Sequence, residues 1–345
     1  MLITKHLPTT VSVATIIFFK SYNCRHKLTH ETAISYDSKF LSNGRYVMGV
    51  KTFVVPEDGT LNQAVEILDN RGTIFISEGT HKLKTPVETK KSITIAGYNL
   101  YKTSLLFDLE DTAINVDSAE EFSLINLKIE RIDNFAYKIL NLKSENIKIT
   151  NCIIKGNSSN ENIISGDETD CFGIDVKSSS RCVLQNSVFT EISGTGMVCH
   201  SGSIKIDDCN FVSNNCAGLI LKNHAKCNIQ TSRFLNNKCA GIVTENNVNG
   251  RIYANILRNN GIREEEKRNY SYKAMINNIC CSEYIGGAVI KDNSKIFFGK
   301  NRFVGNNGYA AVFMGNSEGI ISNNIFSLNT LGDMLTLDNS SIITK

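Results

Sequence analysis

His200, Lys222 and Glu245 stand 22 and 23 residues apart. A base, a cation and a carboxylate brought side by side would form a polar trio suited to moving a proton on a bound substrate. A second candidate set is the acidic run Asp167, Glu168 and Asp170 within "SSNENIISGDETD". Its carboxylates suit a calcium ion, although the D-x-D-x-D-G spacing of a calcium loop is missing. A third is "GIREEEKRNYSYK", Gly261 to Lys273, with Arg263, Lys267 and Arg268. Charged columns and acidic loops are more often solvated surface than sites, so each set matters only if the fold assembles it. No C-x-x-C with a partner pair and no clustered histidines occur, so zinc and iron are not expected.

The spacing that relates His200, Lys222 and Glu245 runs through much of the chain. "NNCAGLILKN" from Asn214 returns as "NKCAGIVTEN" from Asn237. One column holds Phe189, Phe211, Phe234, Leu257, Phe303 and Phe326, separated by 22, 23, 23, 46 and 23 residues. The gap of 46 reads as two periods, with "MINNICCSE" as the missing member and Asn277 in register with Asn323. A second column, three residues on, holds Asn157, Asn214, Asn237, Asn260, Asn306 and Asn329. Leucine does not dominate and the leucine-rich-repeat frame is not met. Each unit shows short alternating apolar segments between Gly or Asn turns, as expected for one coil of a parallel β-helix. Stacked coils place phenylalanines inside, and asparagines at a corner where they bond to one another and tolerate a left-handed backbone.

With these columns the chain resembles the right-handed β-helix superfamily of pectate lyases and related proteins. "PEDGTLNQAVEILDNRGTIFISEGTHKL" is similar to the family's entry, a short capping helix near Leu61 to Asp69 followed by a first strand, and "VETKKSITIAGYN" resembles a second coil. The expected fold is all-β: a right-handed single-stranded parallel β-helix of about 23-residue coils with a short N-terminal capping helix. The helix is assigned to residues 51–345, with 1–50 as a separate N-terminal segment. Two irregular stretches, 158–170 and 261–273, both follow the asparagine corner four coils apart, roughly 19 Å at the spacing between strands, and leave a groove between them.

The resemblance implies, for an enzyme, stacked acids on one sheet that bind calcium or act as acid and base. With Leu219 and Leu221 taken as inward, the outward column reads Asp175, Val198, Ile220, Val243, Val289, Val312 and Leu335, which is almost wholly apolar. The next outward column reads Lys177, His200, Lys222, Glu245, Lys291, Met314 and Leu337, with one acid among cations. Paired carboxylates are missing, and so are polygalacturonase-like signatures. An apolar outer face is usually covered, here by residues 1–50 or by a partner protein docking on Val198, Ile220, Val243, Val289 and Val312.

A net charge of +3 on 345 residues, with no basic run interleaved with aromatics, excludes nucleic acid. The 11 cysteines, mostly at apolar positions, fit buried thiols of a reducing, cytoplasmic compartment. Against this stand the sequons at Asn157, Asn269 and Asn339 and the apolar stretch Leu7 to Phe19, too short for a membrane span and within signal-peptide range. The chain stops at "DNSSIITK", still in register, which suggests a truncated product, end-to-end assembly or an edge covered by residues 1–50.

Two readings follow. The favoured one is a non-catalytic scaffold that binds a protein on the apolar face or a glycan in the groove, similar to the F-box β-helix and SHC-binding/Nessun Dorma proteins, with a role in cell division or ubiquitin-linked complexes and no cofactor. The alternative is a secreted polysaccharide lyase or glycosidase, for which calcium enters as a candidate cofactor.

Overall fold

Five-residue strands of alternating character and three-residue strands centred on an aromatic build the repeat. In Ser203–Asp207, Ile204 and Ile206 point inward while Ser203 and Lys205 face out. Asp208 then turns the chain with φ 48°. Asn210–Val212 buries Phe211, and Ser213 turns again with φ 55°. Leu219–Leu221 completes the circuit. The computed structural model describes residues 36–40, 46–133, 138–157, 171–179, 181–261 and 286–345, with side chains from residue 51 onward.

Each strand pairs in parallel with its counterpart in the next coil, giving three ladders. Ladder I contains Phe172–Ser178, Thr195–Cys199, Leu219–Leu221, Ala240–Thr244, Gly286–Ile290 and their equivalents. Ladder II contains Arg181–Gln185, Ser203–Asp207, Lys226–Gln230, Asn249–Tyr253 and Lys295–Gly299. Ladder III is a sheet of ten strands and carries the aromatic column. In early coils ladders I and II share unbroken strands, Ile114–Ile125 and Leu140–Thr150, with a register shift between Lys143 and Ser144. Later coils separate them by turns built on left-handed pairs such as Asn223–His224 and Asn246–Asn247. Asparagine is among the residues that accept this backbone at least cost.

At the N-terminal end, strands β1 (Tyr36–Phe40) and β2 (Tyr46–Val55) pair antiparallel, and β2 joins the solenoid in parallel with Leu68–Ile76. The sequence reading has no cue to this pair, and β2 crosses the boundary set at residue 50. The capping helix α1 (Leu61–Ile67) starts at Thr60, whose hydroxyl accepts from the Gln63 amide while the Gln63 side chain accepts from the Thr60 amide. It buries Leu61, Ala64 and Val65.

Phe189, Phe211 and Phe234 stack at centroid distances of 4.6 and 4.9 Å, and Phe303 and Phe326 at 5.3 Å. The asparagine column forms as expected: Asn214 donates to Asn237 at 2.9 Å, Asn237 to Asn260 at 2.9 Å, Asn260 to Asn306 at 3.1 Å and Asn306 to Asn329 at 2.8 Å. Each also donates to a backbone carbonyl of the coil before, as Asn237 does to Phe211 O at 3.1 Å. The left-handed corner residue is the one preceding the ladder asparagine: Ser213, Asn236, Asn259 and Gly305. These asparagines are therefore kept for hydrogen bonding, and the turn conformation falls to their neighbours. Asn157 departs from the row, donating to Asp133 O at 3.1 Å. A second ladder, Asn255 to Asn301 to Asn324, lines the opposite corner of ladder III.

The gap of 46 residues is one step of the stack, which corrects the two-period reading. Leu257 pairs directly with Phe303, Ala240 with Gly286, and Asn260 donates to Asn306. "MINNICCSE" is consequently no rung between these directly paired coils, and it lies outside the described residues.

The described cysteines, Cys152, Cys171, Cys182, Cys199, Cys209, Cys216, Cys227 and Cys239, are all buried. Burial pushes the thiols of Cys152, Cys171 and Cys227 up to about 12. Only the thiolate is nucleophilic, so these three should resist iodoacetamide at pH ~8 in the folded protein and label fully once it is denatured. Peptide mapping of the two samples checks this; native labelling at the denatured rate would show that the coils open readily.

Candidate active site on ladder I

The strand phase follows the expectation. Leu219 and Leu221 join the solenoid core, while Val198, Ile220 and Val243 point to the other face. That outer column is not open surface. Val198, Ile220, Val243, Val289 and Val312 are at most 2% exposed within the single chain. Val198, Ile220, Val243 and Val289 form a second apolar cluster with Phe172, Cys216, Ala217, Cys239 and Ala240. The docking surface expected there is thus corrected to an interior layer. An aspartate at Ile220 would bury a charge in that layer and unfold it before it reported on any partner.

Asp175 is the exception in this column, an acid with 0% exposure. It is held by Lys177 Nζ at 2.8 Å and Lys138 Nζ at 2.9 Å on Oδ2, and by His200 Nε2 at 2.9 Å on Oδ1. Burial alone would raise its pKa, but His200, Lys177 and Lys138 outweigh that and hold the carboxyl well below the usual range. Lys138 also lies 5.8 Å from the Phe172 ring centroid. The lysine belongs to the coil before, and nothing in the repeat pattern marks it. Asp175 stands in the sequence as the one acid in an apolar column, but the sequence reading gives it no role.

His200, Lys222 and Glu245 do not form one trio. His200 turns toward Asp175, while Glu245 takes Lys222 at 2.6 Å and Lys291 at 2.8 Å. Burial works against the Glu245 charge, and the two lysines prevail, keeping its pKa below the ordinary glutamate value. The row along the rim of ladder I is therefore two ion clusters, with Lys177, Lys222 and His200 the members most open to solvent. Four lysines and a histidine surround two carboxylates, so the rim is positive overall.

Both carboxylates are ionised at neutral pH, so neither is a proton donor of the kind a glycosidase needs. The Asp175–His200 pair offers something different. A neutral imidazole whose Nε2–H donates to this carboxylate carries its lone pair on Nδ1, the arrangement of an oriented general base.

Asp167, Glu168, Asp170, Arg263, Lys267 and Arg268 lie outside the described residues, as does the calcium expectation attached to the first three. The described chain ahead of each stretch ends just after ladder III, at Asn157 and at Gly261, four coils apart. Among the described residues no group of three His, Cys, Asp or Glu side chains is placed to hold a metal, and no helix is long and apolar enough to cross a membrane.

Comparison with known proteins agrees with the architecture. The family model "Right handed beta helix region" matches residues 160–271. Among solved structures, the pectate lyase Pel9A is 13% identical with a TM-score of 0.52, over 82% of this chain and 72% of that one. A PL6 family alginate lyase, AlyGC, is 12% identical with a TM-score of 0.48, over 89% of this chain and 47% of that one. PfbA, a surface adhesin of Streptococcus pneumoniae, is 13% identical with a TM-score of 0.40, over 82% and 87%. No curated protein sequence matches the chain. The chain is an all-β parallel solenoid with the right-handed β-helix fold, of pectate lyase-like architecture. At these identities the likeness is one of fold alone.

Proposed function

We propose that the protein is a polysaccharide lyase acting on a uronate-bearing glycan at the rim of ladder I, the enzymatic alternative of the sequence reading narrowed by the site. The observation that carries it is the Asp175–His200 pair set among lysines. Lyases must remove a proton beside a uronate carboxylate. Cations that neutralise that carboxylate make the proton more acidic, and a histidine with an oriented lone pair takes it. His200 Nδ1 would accept the C5 proton, the C4–O bond would break as a C4–C5 double bond forms, and the leaving oxygen would take a proton from water. Lys177 and Lys222 are the rim lysines most open to solvent, and Asp175 positions His200. Hydrolysis is disfavoured because both carboxylates are held ionised.

Such a substrate places the protein outside the cytoplasm, with Leu7 to Phe19 as its leader, against the expectation drawn from the thiols. Buried thiols of raised pKa are compatible with either compartment. The second reading, a non-catalytic scaffold of F-box β-helix or SHC-binding/Nessun Dorma type in the cytoplasm, draws support from the same ion pairs, since carboxylates locked by several cations also brace a fold. Turnover of polygalacturonate and alginate separates the two. His200→Ala should lower turnover at least about a hundredfold while the glycan still binds. Equal turnover by the variant would remove His200 from the chemistry.

A further inference from the structure

Ladder II presents a different face. Arg181, Lys205, Lys226, Arg251 and Lys300 are all exposed on it or at its edge, and among the described residues none of them forms an ion pair. The acids nearby are otherwise engaged: Glu318 pairs with Lys295 at 2.8 Å, and Asp207 accepts from Thr231 Oγ1 at 2.6 Å. Arg181, Lys205 and Lys226 line a groove of about 620 Å³ together with Ser203, Asn228 and Asn249, and no acid borders it. A row of exposed cations over several coils repels itself and is stabilised by an anionic occupant.

One coil beyond Asn228, the groove meets a pair of rings. The Arg251 guanidinium lies 4.1 Å from the Tyr253 ring centroid and 5.5 Å from that of Phe297, and Lys300 Nζ lies 5.6 Å from Tyr253. Gly299, the residue paired with Tyr253, makes the arrangement possible. A Cβ there would come within 2.6 Å of Phe297 Cε1 and 2.8 Å of Tyr253 Cδ2, so both rings lie over the space the glycine leaves. The result is a half-exposed aromatic shelf flanked by two cations at the end of a basic groove.

We infer that this face is a second glycan site, which binds an anionic polysaccharide along ladder II with one sugar ring stacked on the Tyr253–Phe297 shelf. Aromatic faces take the C–H side of a pyranose ring, the forked guanidinium takes a carboxylate or sulfate, and Ser203, Asn228 and Asn249 suit hydroxyls. The step of the stack, about 4.8 Å per coil, is close to the advance of one residue in an extended 1,4-linked sugar chain. From Arg181 to Phe297 the site spans four such steps, about 19 Å. A single-stranded nucleic acid fits less well, because it calls for stacking platforms repeated along the groove and this face has one. The site shares the ligand class of the lyase reading and none of its residues.

The test is binding, with no product measured, so that it stands apart from turnover at ladder I. The full chain is titrated by calorimetry at low salt with oligogalacturonate, a sulfated heparin oligosaccharide, a neutral xylan oligosaccharide and oligouridylate. One of the two acidic glycans should bind most tightly, and which one reports whether carboxylate or sulfate is preferred. The double variant Arg251→Ala with Tyr253→Ala should weaken that binding about tenfold or more with an unchanged unfolding midpoint. Gly299→Ala keeps every charge and displaces the rings, so it should weaken binding too. The inference is overturned if the double variant binds as the parent does, if oligouridylate or the neutral glycan binds best, or if only His200 and Lys177 variants lose affinity.

Discussion

Replacing Asp175 with alanine is expected to lower stability by about 3 kcal/mol, because it strands Lys138, Lys177 and His200 around a buried void. Removing one member of a buried ion cluster typically costs about 3–5 kcal/mol. The lower end applies because the Lys177 side chain is 41% exposed, so solvent takes up part of its charge. The effect carries a pH signature. Folding depresses the Asp175 pKa, so its contribution is complete above the unfolded value of about 3.9 and is lost as pH falls through the folded value. The stability gap between the parent and Asp175→Asn should therefore be constant near neutrality and close below about pH 4. Denaturant midpoints across that range check it, and a gap that persists in acid would mean that packing, not charge, holds the site.

Phe211→Ala should be as damaging for a different reason. The ring sits at 0% exposure between Phe189 and Phe234, at 4.6 and 4.9 Å. Truncating a buried phenylalanine costs about 3–5 kcal/mol, from lost transfer energy and from the cavity left in a stack that cannot close around it. In a solenoid each coil contacts only its neighbours, so the damage should be local. Hydrogen exchange should accelerate most in Val188–Thr190, Asn210–Val212 and Arg233–Leu235, the strands that carry the three rings. Phe297→Ala, on the outer face, makes the contrast: its ring is half-exposed, and its loss should leave the midpoint nearly unchanged. Equal losses from the two substitutions would contradict the assignment of Phe211 to the core and Phe297 to the surface.

Why the coil was legible and the site only partly so follows from distance along the chain. Stacking places equivalent residues side by side, so any pair that recurs at the period, such as Phe211 with Phe234 or Asn214 with Asn237, is visible as a column. The inward placement of Leu219 and Leu221 follows from the two-residue alternation of strands. Contacts off the column leave no such trace. Lys138 reaches Asp175 across 37 residues that include an insertion, and His200 bonds to Asp175 instead of joining Lys222 and Glu245. Insertions also mislead when their length equals the period, as between Leu257 and Phe303. The burial of Val198, Ile220 and Val243 rests on a second apolar cluster with Phe172, Cys216 and Cys239, which strand alternation alone does not reveal.

The most direct measurement is mass-spectrometric and ultraviolet analysis of oligosaccharides released from polygalacturonate and alginate by the full-length protein. The expected products carry a C4–C5 double bond at the new non-reducing end, absorb in the ultraviolet and are lighter by one water than hydrolytic fragments, and His200→Ala does not release them. Saturated products, or none from any uronate polymer, would contradict the assignment of His200 and Asp175 to proton abstraction.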